Sequence, residues 1–172
     1  MSFKILFMGT PNFAVPILKS LNESNHKILE VYTQPPKKKN RGQKISFSPI
    51  HEYSNKINIP VRHPITLNSQ EELEYIKKKN PDIVIVVAYG KILPAKILNN
   101  FKIQFINIHA SLLPKWRGAA PIQRSIMNCD KETGISIMKI SCKNFISYMA
   151  TNMTNSLHAC KKKRQHTLIK PR

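Results

Sequence analysis

The chain has 172 residues, with 28 Lys+Arg against 9 Asp+Glu and a formal net charge of +19. That length holds one ordinary domain with a real core, and the charge suits a polyanionic partner such as RNA, although a lysine-rich solvated surface gives the same sum. No stretch reaches the roughly 20 apolar residues of a membrane span, residues 1–8 are too short and too soon followed by Gly and Pro for a signal peptide, and three cysteines with no Cys-x-x-Cys exclude a disulfide framework and fit a reducing cytosol.

Residues 3–8 read as a buried strand, Gly9-Thr10-Pro11-Asn12 as the turn after it, and 13–21 as an amphipathic helix. A dinucleotide fingerprint would need Gly-x-Gly-x-x-Gly at this turn, and only Gly9 is present. Residues 28–33 form a second expected strand. The run Gln34 to Lys44 that follows is rich in Lys and bounded by Pro35 and Pro36, which reads as a flexible basic loop. A short helix is expected over 48–55 and an extended piece over 61–64. A helix over 69–79 opens on a Ser69 cap with Glu71 and Glu72 and closes on Lys77-Lys78-Lys79, an order that complements the helix dipole and makes the triple Lys structural. His26, His51 and His63 read as surface residues without partners.

Ile83-Val84-Ile85-Val86-Val87-Ala88 is a continuous β-branched run, the mark of a parallel strand buried on both faces. Tyr89-Gly90 lies at its carboxyl end. A short helix over 97–101 and a strand over 103–108 follow, then a helix over 119–127 with Pro121 in its first turn, and a strand over 135–140. Strands alternating with helices predict an α/β fold: a Rossmann-like, mainly parallel sheet with helices on both faces.

The densest chemistry lies in Asn107-Ile108-His109-Ala110-Ser111-Leu112-Leu113-Pro114-Lys115-Trp116-Arg117-Gly118-Ala119-Ala120-Pro121-Ile122-Gln123. Side chains two apart on a strand share a face, so Asn107 and His109 project together at a strand's carboxyl end, where open α/β sheets bind ligands. A satisfied core histidine is the bland alternative for His109 alone. Trp116 reads as packing, and Ser111, with no acid nearby, as a turn residue and not a nucleophile.

Residues 107–123 closely resemble the signature of the folate-dependent formyltransferases, and the resemblance runs from Lys4-Ile5-Leu6-Phe7-Met8-Gly9-Thr10-Pro11 to about Ile140. Within that family the text is nearest to the members that formylate initiator methionyl-tRNA. The resemblance implies a formyl donor, 10-formyltetrahydrofolate, and no metal. It implies catalytic roles for Asn107 and His109, and folate contacts from Ser111, Leu112, Leu113, Pro114, Tyr89 and Gly90, with a packed loop aromatic the alternative for Tyr89. It also implies tRNA contacts from Lys37, Lys38, Lys39 and Arg41, where a solvated linker is the alternative. Arg117 and Gly118 would stabilise the turn or meet an anionic group. A monomer in bacterial or organellar cytoplasm is expected.

After the last matching strand the family continues with Leu-Asp-Thr-Gly, whose Asp orients the histidine. Here the chain reads Ser141-Cys142-Lys143-Asn144-Phe145-Ile146-Ser147, and no acid occurs from Ser141 onward. The expected organisation is therefore a partial catalytic domain over 1–140, incomplete at its carboxyl end, and a basic, poorly ordered tail over 141–172, as a truncated or frame-shifted gene would give. Low or no turnover is expected of such a chain. Cys142, His158, Cys160 and His166 fit no standard zinc spacing. The alternatives are a folate formyltransferase acting on a sugar nucleotide or on glycinamide ribonucleotide, and a non-catalytic fragment that binds RNA or folate.

Overall fold

A computed structural model describes residues 1–39, 44–100, 103–140 and 146–153. The chain divides into two compact units, the first made of Met1–Ile108 with Met138–Ile146 and the second of His109–Ile137 with the segment from Ser147.

In the first unit β1 (Lys4–Gly9) leads through a 3-10 turn over Asn12–Ala14 into α1 (Val15–Asn22), and β2 (Lys27–Tyr32) follows. Next come a hairpin of β3 (Lys37–Lys39) and β4 (Lys44–Ser46), α2 (Pro49–Lys56), β5 (Val61–Arg62), α3 (Gln70–Lys79), β6 (Ile83–Val87), α4 (Ala95–Asn100) and β7 (Gln104–His109). The strand order is β5-β2-β1-β6-β7, and the β1–β2, β1–β6, β2–β5 and β6–β7 pairs are all parallel. The end of β8 (Thr133–Lys139) comes next in the order, and just past it the Ile140 N–H donates to the Phe105 carbonyl at 2.7 Å.

Alternation along the central strands produces two cores. Leu6, Met8, Tyr32, Val84, Val86 and Phe105 face one side with Leu73, Ile76 and Ile97 of the helices. Ile5, Phe7, Val31, Ile85 and Val87 face the other with Leu18 and Ile50. Both faces are thus covered, which is why β6 tolerates an unbroken β-branched run. Capping follows the sequence: Ser69 Oγ accepts from the Glu72 N–H at 3.2 Å, Ser48 Oγ accepts from the His51 N–H at 3.0 Å, and Asn80 ends α3 in the left-handed conformation.

This unit also buries charge. Glu72 accepts from Arg62 Nε at 2.6 Å and from the Tyr32 hydroxyl at 3.2 Å. Glu30 accepts from the Tyr75 hydroxyl at 3.0 Å and lies 3.1 Å from Lys79 Nζ, so the last lysine of the triple run is structural, as expected. Burial, with Glu72 second, pushes the Tyr32 phenol far above its usual range.

Two expectations need correction. The run after β2 is not all loop: Lys38 pairs with Ile45 across an antiparallel hairpin whose charged residues mask its period of two. The histidines are not solitary. The His51 ring stacks on His63 with centroids 5.8 Å apart and meets Phe47 at 4.3 Å, and His26 Nδ1 accepts from the Phe3 N–H at 3.4 Å. Ile146–Met153, within the segment expected as a tail, is strand β9.

The second unit carries the loop after β7, then α5 (Pro121–Met127), most of β8, and β9 from Ser147. β8 alternates buried and half-buried residues, with Gly134, Ser136 and Met138 on the buried side.

Candidate active site

On the first unit the carboxyl ends of β1 and β6 approach closely. A Cβ on Gly9 would lie 2.8 Å from Phe7 Cε1 and 3.2 Å from the Val87 carbonyl, so only glycine fits there. Beyond β6, Ala88 takes φ 46° and Gly90 φ 81°, turning the chain sharply. That turn is held by side chains from two other strand ends. Thr10 Oγ1 donates to the Tyr89 carbonyl at 2.8 Å, and Gln34 Nε2 donates to the Tyr89 and Gly90 carbonyls at 3.3 and 3.0 Å. A Cβ on Gly90 would stand 2.1 Å from Gln34 Nε2, so its side hydrogen makes room for the amide. The Tyr89 ring is buried in the core cluster, which is the packed reading, and burial raises its phenol above the usual range. Lys91 Nζ donates to the carbonyls of Pro64 and Ile65, the latter at 2.8 Å, and burial lowers its ammonium from the ordinary value. Asn107 lies opposite Val86 near the end of β7, half-buried, and no described residue hydrogen-bonds its side-chain amide.

On the second unit a knot of hydrogen bonds shapes residues 109–130. His109 closes β7, and its Nε2 lies 3.0 Å from the Trp116 carbonyl oxygen. Ser111 is fully buried, and its Oγ donates to the Lys115 carbonyl at 2.7 Å. That hydroxyl is committed to the turn, in keeping with a non-nucleophilic role. Ser136, also fully buried, donates to the Ser111 carbonyl at 2.8 Å and accepts from the Leu113 N–H at 3.1 Å. The Leu113–Pro114 peptide is cis, Leu112 and Leu113 are half-buried, and Pro114 is exposed. Asp130 accepts from Lys115 Nζ at 2.6 Å, Trp116 Nε1 at 2.5 Å and Asn128 Nδ2 at 2.7 Å. Its contacts, with the Lys115 ammonium first and the Asn128 amide next, hold its carboxyl well below the usual range. Arg117 is exposed, and Gly118 and Ala120 take φ 86° and 54° ahead of α5.

Of the expected RNA contacts, Lys37 and Lys38 are exposed on β3 and Lys39 ends that strand, whereas Arg41 lies outside the described residues. Sequence reasoning passed over Gln34, Asp130 and Ser136. Gln34 directly follows the strand expected over 28–33, which is a usable signal. Ser136 and Asp130 carry none, because partners 14 to 25 positions away leave no local pattern. Among the described residues no three His, Cys, Asp or Glu side chains cluster as metal ligands, and no helix is long and apolar enough to cross a membrane.

A parallel, doubly wound sheet with an amide at the carboxyl end of one strand and polar turns beside it belongs to the α/β proteins that bind ligands at the strand ends. The comparisons narrow the class. The profile of the formyl transferase family matches residues 3–145. Methionyl-tRNA formyltransferase of Pelagibacter ubique (strain HTCC1062) is 66% identical over 144 residues, 83% of this chain and 46% of that protein. Methionyl-tRNA formyltransferase of Coxiella burnetii (strain RSA 331 / Henzerling II) is 53% identical over 141 residues, 82% of this chain and 45% of that one. Among solved structures, phosphoribosylglycinamide formyltransferase from Streptococcus pneumoniae TIGR4 superposes with a TM-score of 0.70 at 14% identity, covering 95% of this chain and 94% of that one, which is a likeness of fold. The chain belongs to the formyl transferase family. It spans a little under half the length of the methionyl-tRNA formyltransferases it matches.

Proposed function

We propose that this chain carries the catalytic residues of a cytoplasmic, monomeric formyltransferase that moves a formyl group from 10-formyltetrahydrofolate to the α-amine of methionyl initiator tRNA at the start of translation. The observation that carries the reading is the placement of Asn107 and His109 at the carboxyl end of β7, within a sequence 66% identical to a methionyl-tRNA formyltransferase. When bound, the folate supplies the formyl carbon and a leaving nitrogen, N10, while the methionyl amine is itself the nucleophile.

The side chains needed are therefore donors and a proton carrier, not an attacking group. Asn107 offers an N–H2 that cannot titrate away and that no described residue occupies, suited to the negative charge that builds on the formyl oxygen. His109 takes a proton from the attacking nitrogen and returns one to the leaving nitrogen. The apolar side chains of Leu112, Leu113 and Pro114 supply a surface for a flat heterocycle. Tyr89 and Gly90 contribute through backbone, since the Tyr89 ring is buried. Ser111 acts on this surface by holding the turn. Lys37, Lys38, Lys39 and Arg41 meet tRNA phosphates, for which charge and reach suffice. The partial catalytic domain ends near residue 140 in this reading. Residues 133–172 hold no Asp or Glu; loss of an orienting acid slows transfer of this kind by a factor on the order of 10⁴.

The test mixes the protein with labelled formyl donor and Met-tRNA, with His109→Ala as background. Formyl-Met-tRNA above that background is the expected product. Transfer to glycinamide ribonucleotide or a sugar nucleotide in its place overturns the acceptor, and binding without any transfer overturns the activity.

A further inference from the structure

We propose that Asp130 is a positioning residue for His109: by gripping the Trp116 indole it keeps the Trp116 carbonyl on His109 Nε2, so the neutral imidazole holds its proton on Nε2 and presents Nδ1 as its lone-pair nitrogen. The proposal rests on the role given to His109 above, and concerns how that side chain is held.

A carbonyl oxygen only accepts. With Nε2 at 3.0 Å from the Trp116 oxygen, Nε2 must be the donor. A neutral imidazole has a single N–H, so the lone pair falls to Nδ1. The carbonyl that makes this choice belongs to a strained residue. Trp116 has φ 58°, a left-handed conformation that is unfavourable for a bulky residue and that its surroundings must therefore hold. The one polar atom of the indole is the handle. Trp116 Nε1 donates to Asp130 Oδ2 at 2.5 Å.

Asp130 is itself fixed. Its Oδ1 accepts from Lys115 Nζ at 2.6 Å and from Asn128 Nδ2 at 2.7 Å, its backbone N–H donates to the Ser125 carbonyl at 3.0 Å, and its side chain is 4% exposed. One carboxylate thus ties Lys115 and Trp116 to the end of α5 without touching His109. The mechanism gains a direction from this. The proton leaving the attacking amine goes to Nδ1, Nε2–H stays on the carbonyl in both charge states, and Nδ1–H is then the proton the leaving nitrogen receives.

The experiment needs neither formyl donor nor tRNA, so its failure and that of the transfer reading are separable. Long-range proton–nitrogen correlation spectra of histidine-labelled protein, at a pH where imidazole is neutral, report which nitrogen carries the proton; His109→Gln assigns the signal. The wild type should show His109 with the proton on Nε2. Trp116→Phe and Asp130→Asn should each release it to a mixture of the two forms, while the His51 and His63 signals stay in place as evidence of a kept fold. Lys115→Met, which leaves the indole–carboxylate bond, should keep the wild-type form. If one releasing variant fails to fold, the other decides. A wild type protonated on Nδ1, a His109 signal unmoved in a folded Trp116→Phe or Asp130→Asn, or an equal change in Lys115→Met would overturn the proposal.

Discussion

The turn after β6 and the loop after β7 both follow parallel strands, yet different forces hold them. Around Tyr89 and Gly90 the backbone sits on a hydrophobic platform: the Tyr89 ring is sunk in the core, and Thr10 and Gln34 reach over to tie its carbonyl. From His109 to Asp130 there is little apolar burial, and Ser111, Ser136 and Asp130 hold the chain by accepting and donating to it. Apolar burial tolerates substitutions of similar volume, whereas a buried polar group left without its partner costs its full desolvation. The second region is therefore the more brittle, one atom at a time.

The largest effect is expected at the two side chains of the proposed reaction. On the proposed reading Asn107→Ala removes the oxyanion donor and His109→Ala removes the proton carrier. Each should lower formyl transfer by about 10²–10³-fold, measured as formyl-Met-tRNA formed per minute. A variant that keeps full transfer would remove its residue from the proposed chemistry.

Next in size is an exception within the first region. Glu72 is buried and depends on Arg62, whose guanidinium is more exposed. Arg62→Met leaves that carboxylate with the Tyr32 hydroxyl alone and should cost roughly 3 kcal/mol, read from the urea midpoint. Adding Glu72→Gln should return part of the loss, because a neutral amide is cheaper to bury. An additive double variant would show that the pair is not coupled.

Ser136→Ala probes the brittle region directly. It strands the Ser111 carbonyl and the Leu113 N–H for the loss of a single oxygen, at an expected cost of about 1–3 kcal/mol. Amide exchange should quicken over 109–116 while β1 and β6 keep their protection. Equal loosening of both would erase the contrast between the regions.

The same contrast explains what the sequence disclosed. The β-branched run of β6, the capped α3 and the alternating helices were legible because apolar period and caps are local signals. The pairing of Asn107 and His109 on one strand was legible for the same reason, since it needs only alternation. The support beneath His109 was not, because Asp130 and Ser136 find their partners 14 to 25 positions away. The β3–β4 hairpin escaped notice because lysines occupy both faces of its first strand, so no apolar alternation marks it, and the His51–His63 stack joins a helix to the residue just past β5, ten or more positions on.

The smallest effect concerns that stack. His51 Nδ1 is buried with no hydrogen-bond partner among the described residues. Burial, and then His63, lower its pKa from the ordinary 6.5, against an opposing pull from Glu52. The folded chain thus takes up this proton less readily than the unfolded one. Above 6.5 both states leave His51 neutral and stability is unaffected; as the pH falls through 6.5 towards the folded value, only the unfolded chain gains the proton, and stability declines. His51→Phe keeps a ring against Phe47 and His63 but cannot titrate, so its stability should fall less between neutral pH and about pH 5 than that of the wild type. Urea midpoints for the two proteins across that range decide it: curves that run parallel would place the acid sensitivity elsewhere, and the exchange of α2 amides, compared with those of α5, would show whether the loss begins in the first unit as the stack requires.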